Sequence, residues 1–212
     1  MDLHLWLAYV AAAFLIAVSP GSGAVLSMSH GLAYGVRKAS ATIGGLQLGL
    51  LLILLVAGAG VGSLLLASEL AFNVVKVLGA LYLIYLGWCQ WRAGGASPLA
   101  GADEVPAGSW RKRCLTGFLT NATNPKGIIF MVAVLPQFLT DARPLWSQLL
   151  VIAVTTLAVD TVVMHGYAAS ASAMRRLLRS ARAVQAQNRV FGGLLMAVGA
   201  GLFFVQRGAR HA

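Results

Sequence analysis

Residues 116–138 read TGFLTNATNPKGIIFMVAVLPQF, an apolar segment long enough to cross a bilayer but interrupted by the tripeptide NPK at 124–126. Proline removes a backbone donor and disfavours helical geometry at the residue before it. The sequence therefore predicts a helix that is broken at Pro125. A second segment of this kind lies near the N-terminus, where the tripeptide SPG at 19–21 interrupts the apolar residues 4–34.

Apolar residues dominate the chain. Of its 212 residues, 58% are hydrophobic and only 10% are charged, a composition unlike that of soluble globular proteins. A membrane-spanning helix needs about 20 mostly apolar residues. Six blocks approach or exceed that length: 4–34, 41–66, 70–91, 115–139, 145–172 and 190–206. The sequence predicts an all-α membrane protein with six transmembrane helices in a single domain, residues 1–212, with helices 1 and 4 broken at Pro20 and Pro125.

A polar stretch divides the six blocks into two sets of three. Residues 93–113 are rich in Gly, Ala, Ser and Pro, which is typical of a flexible linker. The halves cover about residues 1–92 and 114–212. With three spans in each half, the second half enters the membrane in the opposite direction, and a shift of 105 residues places Pro20 on Pro125. We therefore predict two inverted three-helix repeats, an arrangement that transporters use to alternate access to a central site.

Basic residues determine the predicted orientation. The net charge of +10 is also typical of proteins that bind nucleic acid, but the charges lie almost wholly between the apolar blocks. We therefore predict a lipid bilayer, and no nucleic acid, as partner. Eleven basic residues follow spans one, three and five: Arg37, Lys38, Arg92, Arg111, Lys112, Arg113, Arg175, Arg176, Arg179, Arg182 and Arg189. The other side has Arg143, Arg207 and Arg210. Because cytoplasmic loops are enriched in Lys and Arg, we expect both termini outside the cytoplasm and the linker inside it.

The two predicted breaks are also candidates for a binding site. A helix broken within a bilayer leaves N–H and C=O groups that cost several kcal/mol each unless protein, water or ligand satisfies them. The helix that restarts presents N–H groups that suit a carboxylate, and the helix that ends presents carbonyls that suit an ammonium. The alternative is a kink repaired locally by the side chain of Ser19 or Asn124. The predicted substrate-binding residues are Ser19, Pro20, Gly21, Ser22, Gly23, Asn124, Pro125, Lys126 and Asp160.

Lys126 and Asp160 are the ionisable residues deepest within the apolar blocks. A charge at the bilayer centre costs at least ~2.5 kcal/mol, so each should face the helix bundle and find a partner. Asp160 is the predicted site for a proton or a substrate ammonium, and Lys126 is the predicted anchor for a carboxylate. The alternative is a buried ion pair between them that fixes helix register. Five polar residues are candidates for the solute path or for hydrogen bonds between helices: Gln47, Asn73, Asn121, Thr123 and Gln137.

Enzyme and metal motifs are absent from the sequence. It contains no HExxH, GxSxG or P-loop pattern and no cluster of Cys and His. We predict no catalytic residue, no metal and no cofactor, and we expect Cys89 and Cys114 to be unpaired. Two alternatives to a transporter stay open: a passive channel, and an intramembrane enzyme that uses His165, Asp160 and a serine.

Three stretches resemble the LysE/RhtB family of amino-acid exporters. Residues 19–49, SPGSGAVLSMSHGLAYGVRKASATIGGLQLG, are similar to its N-terminal signature, and residues 116–138 are similar to its second signature. The stretch GALYLIYLGW at 79–88 also resembles the family pattern. The resemblance implies a six-span transporter of the bacterial inner membrane that exports amino acids or close derivatives and is driven by the proton gradient. Because members commonly associate with one another, a homo-oligomer is consistent with the resemblance.

The resemblance also implies roles for particular residues. Five match the family's motif positions: Pro20, Gly21, Asn124, Pro125 and Lys126. Asp160 resembles the family's acidic residue in span five. The family usually has Pro-Gly-Pro at the first break, whereas Ser22 replaces the second proline here. Because serine restores a backbone N–H and adds a hydroxyl, we expect the choice of substrate to differ from that of the better-known members.

Overall fold

The computed structural model describes residues 1–67, 69–92, 108–140, 143–173 and 181–204. These residues form helices and short connections, and no strand occurs among them. The α-helices in chain order are α1 (Leu3–Val18), α2 (Ser22–Tyr34), α3 (Val36–Ala67), α4 (Glu69–Arg92), α5 (Trp110–Ala122), α6 (Pro125–Val134), α7 (Leu145–Ala173) and α8 (Ala181–Phe204), and a 3-10 turn, Leu135–Phe138, continues α6. The all-α prediction is confirmed for the described part of the chain.

Two helices of the described part are long and apolar enough to cross a membrane, judged by length and composition. They are α3, through its segment Val36–Gly60, and α7. The number of candidate spans rises to four if α1 with α2, and α5 with α6, are each counted as one span. These pairs bend by 58° and 50°, and the bends lie at residues 19–21 and 123–124. A shorter apolar segment, Lys76–Cys89, lies within α4.

Several helices extend beyond the apolar blocks of the sequence. α3 begins at Val36 rather than at 41, and α8 begins at Ala181 rather than at 190. Residues 110–113, assigned to the linker, form the first turn of α5, where the backbone N–H of Lys112 donates to Ser109 Oγ at 3.3 Å. Hydropathy marks only the residues that suit lipid, whereas a helix continues into water when capping and polar side chains support it. The remaining linker residues and five of the basic residues lie outside the described part of the chain: 93–107, Arg175, Arg176, Arg179, Arg207 and Arg210.

α3 packs against α5, and the two helices run in the same direction. Thr42 on α3 faces Gly117 on α5, and further along both helices Gly49 faces Ala122. A Cβ atom at Gly45 or Gly117 would collide with the backbone of the other helix. In lipid, where apolar burial no longer drives association, small residues permit such close packing of backbones. The glycines on this face of α3 are therefore structural.

Contacts between the other helices also define their relative directions. α4 and α8 are antiparallel, since Gly87 faces Gly192 while Ala80 faces Gly199. α7 runs parallel to α1 and α2 and contacts both. The largest buried core joins α1, α3, α4, α6 and α7 and includes the ring of Phe130. This arrangement brings the two bent pairs, α1–α2 and α5–α6, against α3 and α7.

Gly45→Ala is expected to destabilise the fold, because the added methyl group would overlap the carbonyl oxygen of Cys114 on α5. Backbone atoms cannot move aside as a side chain does, so we expect a loss of about 2–3 kcal/mol, or roughly 5–10 °C in thermal midpoint. Gly44→Ala is the matched control, since a methyl group there meets no atom within 4 Å. Thermal unfolding of both variants in detergent measures the difference, and equal midpoints would contradict this packing.

Candidate functional site

A cavity of about 60 Å³ lies where the two bent helix pairs meet α3 and α7. That volume is enough for several water molecules. Its polar lining residues are Ser19, Asn121, Asn124, Lys126, Thr156 and Asp160. The rest of the lining is apolar or glycine, so the few polar groups determine what the cavity can bind.

The end of α1 is held by side chains from two other helices. Tyr167 on α7 donates its hydroxyl proton to the carbonyl of Val18 at 2.5 Å. Lys126 Nζ donates to the carbonyl of Ser19 at 2.5 Å. Ser19 is buried, so its carbonyl requires a partner inside the bundle. The ammonium of Lys126, at the bend between α5 and α6, therefore satisfies a carbonyl at the bend between α1 and α2.

The start of α2 is available to an anion. Its N-cap is Gly21, whose position provides no capping side chain. A Cβ atom at Gly21 would lie 3.3 Å from Lys126 Nζ, which places the ammonium directly beside this helix N-terminus. Free backbone N–H groups, the positive end of the helix dipole and a lysine together form an environment that suits a carboxylate.

At the bend between α5 and α6, a side chain caps the helix that begins there. Asn124 Oδ1 accepts from the backbone N–H of Lys126 at 3.1 Å and so caps α6. Asn121 Nδ2 donates to the carbonyl of Leu46 at 2.8 Å, and this hydrogen bond joins the end of α5 to α3. The local repair by Asn124, one of the alternatives left open by the sequence, occurs here. The two bends therefore have different chemistry: α6 begins with a side-chain cap, whereas α2 begins without one.

Asp160 lies on the α7 wall of the cavity. Its Oδ2 accepts from Gln47 Nε2 on α3 at 2.7 Å. Gln47 Oε1 is buried and has no hydrogen-bond partner among the described residues. Lys126 and Asp160 both line the cavity, but within the described chain no ion pair joins them. In place of the buried pair considered from the sequence, each charge has its own neutral partner, Ser19 for Lys126 and Gln47 for Asp160.

The nine residues predicted for the site fall into two groups. Six line the cavity: Ser19, Gly21, Gly23, Asn124, Lys126 and Asp160. Pro20, Ser22 and Pro125 do not belong to its lining, and the side chains of Ser22 and Pro125 are exposed. Pro20 lies within the first bend, and Pro125 is the first residue of α6, directly after the second bend. Any effect of Ser22 on the choice of substrate must therefore be indirect.

Other polar residues at the site differ in how readily the sequence predicts them. Gln47 and Asn121 stand out as polar residues in apolar blocks, and both make the helix-to-helix hydrogen bonds considered for them. Thr156 and Tyr167 were not predicted. Threonine and tyrosine are ordinary in membrane helices, where their hydroxyls bond to nearby carbonyls or to other helices, so their presence alone carries no signal.

His165 and Ser40 are in contact, as the enzyme alternative would require of a histidine and a serine. His165 Nε2 lies 3.1 Å from Ser40 Oγ. His165 Nδ1, however, faces the carbonyl of Thr161 at 2.8 Å rather than a carboxylate. Asp160 bonds to Gln47 instead. The three residues therefore do not form the chain of contacts that activates a serine nucleophile.

Known proteins resemble this chain over its whole length. A model of the family described as LysE type translocator matches residues 14–206. The homoserine/homoserine lactone efflux protein of Salmonella typhimurium is 41% identical over 213 residues, which cover 100% of both chains. A Vibrio cholerae protein named only as an uncharacterized membrane protein is 41% identical over 199 residues, 94% of this chain and 96% of the relative. A leucine efflux protein of an Enterobacter species is 30% identical over 215 residues, 99% of this chain and 95% of the relative. No solved structure matches the chain.

Proposed function

The chain belongs to the LysE type translocator family, and from that premise we propose that it exports small amino acids or close derivatives from the cytoplasm, with homoserine as the first candidate substrate. The relative named for homoserine efflux is 41% identical over the full length, whereas the relative named for leucine efflux is 30% identical. The higher identity supports homoserine over leucine as the substrate to test first.

The observation that carries this proposal is the separation of opposite charges across one cavity. Lys126 and the uncapped start of α2 at Gly21 present positive charge, and Asp160 presents negative charge. An ammonium carries three donors, of which Lys126 uses one on the Ser19 carbonyl, so that two stay available to a carboxylate. In the proposed complex the carboxylate of a zwitterion lies between Gly21 and Lys126, and its ammonium lies at Asp160.

Proton coupling follows if Asp160 binds either a proton or the substrate's ammonium, but never both. A carboxylate that must release one cation before it takes the other exchanges the two across the membrane, so protons entering the cell drive substrate out. Gln47 supports this role, because its amide holds the Asp160 carboxyl group at the cavity wall in the absence of substrate. Occupancy of a single carboxylate thus couples the two fluxes.

We also propose the membrane arrangement. The chain would cross the bacterial inner membrane six times as two inverted three-helix repeats, broken at Pro20 and Pro125, with both termini outside the cytoplasm. The helix directions support it: α3 with α5 and α7 with α1–α2 are parallel, and α4 with α8 is antiparallel, as six successive crossings require. The two halves also make equivalent contacts, because the first proposed span of each half packs against the second span of the other half. These contacts are α1–α2 with α7 and α5–α6 with α3.

Proteoliposomes that contain the purified protein test the proposed function. With unlabelled homoserine inside, labelled homoserine should accumulate transiently above its external concentration, and an imposed proton gradient should sustain the accumulation. A passive channel would only equilibrate the label, and an enzyme would change the mass of the recovered solute. If neither homoserine nor leucine moves faster than in protein-free liposomes, the proposed function is wrong.

A further inference from the structure

The hydroxyl of Thr156 has only accepting capacity left. Thr156 Oγ1 donates its proton to the carbonyl of Ile152 at 2.7 Å. The Tyr9 hydroxyl lies 2.5 Å from the same oxygen. A threonine hydroxyl has one proton and two lone pairs. Because its proton is already used, Tyr9 must be the donor, and one lone pair of Thr156 has no assigned partner.

The packing of Tyr9 fixes the position of the hydroxyl group that donates to Thr156. Its side chain is fully buried, at 0% exposure, and its ring packs edge-on against Phe138 at 5.1 Å between centroids. Tyr9 does not line the cavity, whereas Thr156 does. The tyrosine therefore lies behind the wall and hydrogen-bonds to a residue that lines the cavity.

Thr156 lies near Asp160, the residue proposed to bind the ammonium. Thr156 and Asp160 are four residues apart on α7, and both line the cavity, so they lie on the same face of the helix about one turn apart. A small amino acid whose ammonium is at Asp160 has a side chain of about the length needed to reach Thr156. The third lining residue on α7, Met164, is apolar, as are Ala13 on α1 and Phe130 and Met131 on α6.

We propose that Thr156 is a specificity-determining residue that accepts a hydrogen bond from a hydroxyl group on the substrate's side chain. The inference rests on the proposed function and extends it, because it names the chemical feature that the site selects. A ligand with a hydroxyl donor at that point satisfies the open acceptor, whereas an apolar end group of the same size leaves it unpaired in an enclosed site.

Three amino acids with defined end groups test the selection in proteoliposomes. L-homoserine and L-norvaline have the same number of non-hydrogen atoms and differ only in a terminal hydroxyl or methyl group, and O-methyl-L-homoserine keeps the oxygen but lacks the donor. We expect the protein to prefer homoserine about tenfold over both analogues, measured as Vmax/KM in competition counterflow. Equal transport of homoserine and O-methylhomoserine would overturn the inference, because the donor would then be irrelevant.

A pair of variants assigns the preference to Thr156. Tyr9→Phe alone should retain the preference, since Thr156 still accepts a hydrogen bond, whereas Tyr9→Phe with Thr156→Val should lose it. Both variants lack the Tyr9 hydroxyl, so neither leaves it buried without a partner, and they differ only in the Thr156 hydroxyl. A double variant that still prefers homoserine tenfold overturns the assignment to Thr156. If the double variant does not fold, the ligand comparison in the unmodified protein decides instead. If the unmodified protein transports no amino acid at all, the proposed function itself is wrong, and this result is distinct from a failure of the Thr156 inference.

Discussion

Asp160→Asn is expected to abolish homoserine efflux driven by a proton gradient and to lower homoserine counterflow by about a hundredfold. Asparagine has nearly the same shape, and its side-chain oxygen still accepts from Gln47 Nε2, which donates to Asp160 at 2.7 Å in the structure. It has no charge for an ammonium and no site for a proton. A hydrogen bond to a charged group contributes about 1.5–3 kcal/mol, and the upper end of that range is a factor of about one hundred.

Asp2→Asn is the matched control for this substitution. Asp2 makes an ion pair with Arg143 at 3.7 Å, but the two side chains are 79% and 56% exposed, respectively. Solvent screens such a pair, so its removal should change neither folding nor transport measurably. Both variants should elute from a size-exclusion column as the unmodified protein does. Undiminished gradient-driven transport in Asp160→Asn would show that Asp160 does not carry the proton, and undiminished counterflow would show that it does not bind the ammonium.

The features predicted from the sequence depend on residues that act locally. A proline disturbs the backbone next to it, and the structure has bends at 19–21 and 123–124. A lone charge in an apolar block must face inward, and both Lys126 and Asp160 line the cavity. Helix ends are less predictable, because hydropathy marks where lipid is tolerated and not where helical hydrogen bonding stops.

The features that were not predicted depend on pairs of residues far apart in the chain. Lys126 bonds to a carbonyl 107 positions away, and Gln47 bonds to a carboxylate 113 positions away. A single sequence contains no record of such pairs, so it left open whether Lys126 and Asp160 bind each other. Thr156 was missed for the same reason, since its remaining lone pair is recognised only when Tyr9 and Ile152 are placed beside it.

The difference between the two bends explains how the proposed repeats would make one asymmetric site. The shift of 105 residues that places Pro20 on Pro125 also places Ser19 on Asn124 and Gly21 on Lys126. The second bend is capped by its own asparagine, whereas the first offers a glycine against which the lysine of the second bend lies. Because the halves differ at these positions, the proposed site would have one place for a carboxylate rather than two.

Lys126→Met is expected to lower homoserine counterflow by about a hundredfold and to affect homoserine lactone much less. The lactone keeps the amino group but has a neutral ester carbonyl in place of the carboxylate, so its contact with Lys126 lacks the attraction between opposite charges. Loss of a charge-assisted hydrogen bond to a carboxylate accounts for most of the effect on homoserine. The variant also removes the hydrogen bond from Lys126 to the Ser19 carbonyl, which costs about 1–3 kcal/mol of stability but affects both ligands equally. The change in the ratio of the two transport rates, relative to the unmodified protein, therefore reports on the charge of the carboxylate.

Lys76→Met is the matched control, because Lys76 lies in α4 and is not part of the cavity lining. It should leave the ratio of homoserine to lactone transport unchanged. If Lys126→Met slows both ligands by the same factor, the lysine holds the bend at Ser19 in shape but does not bind the carboxylate. The anion site would then consist of the α2 N-terminus alone. A selective loss of homoserine transport would instead mean that the ammonium of Lys126 contacts the substrate's carboxylate while α1 and α2 stay in place.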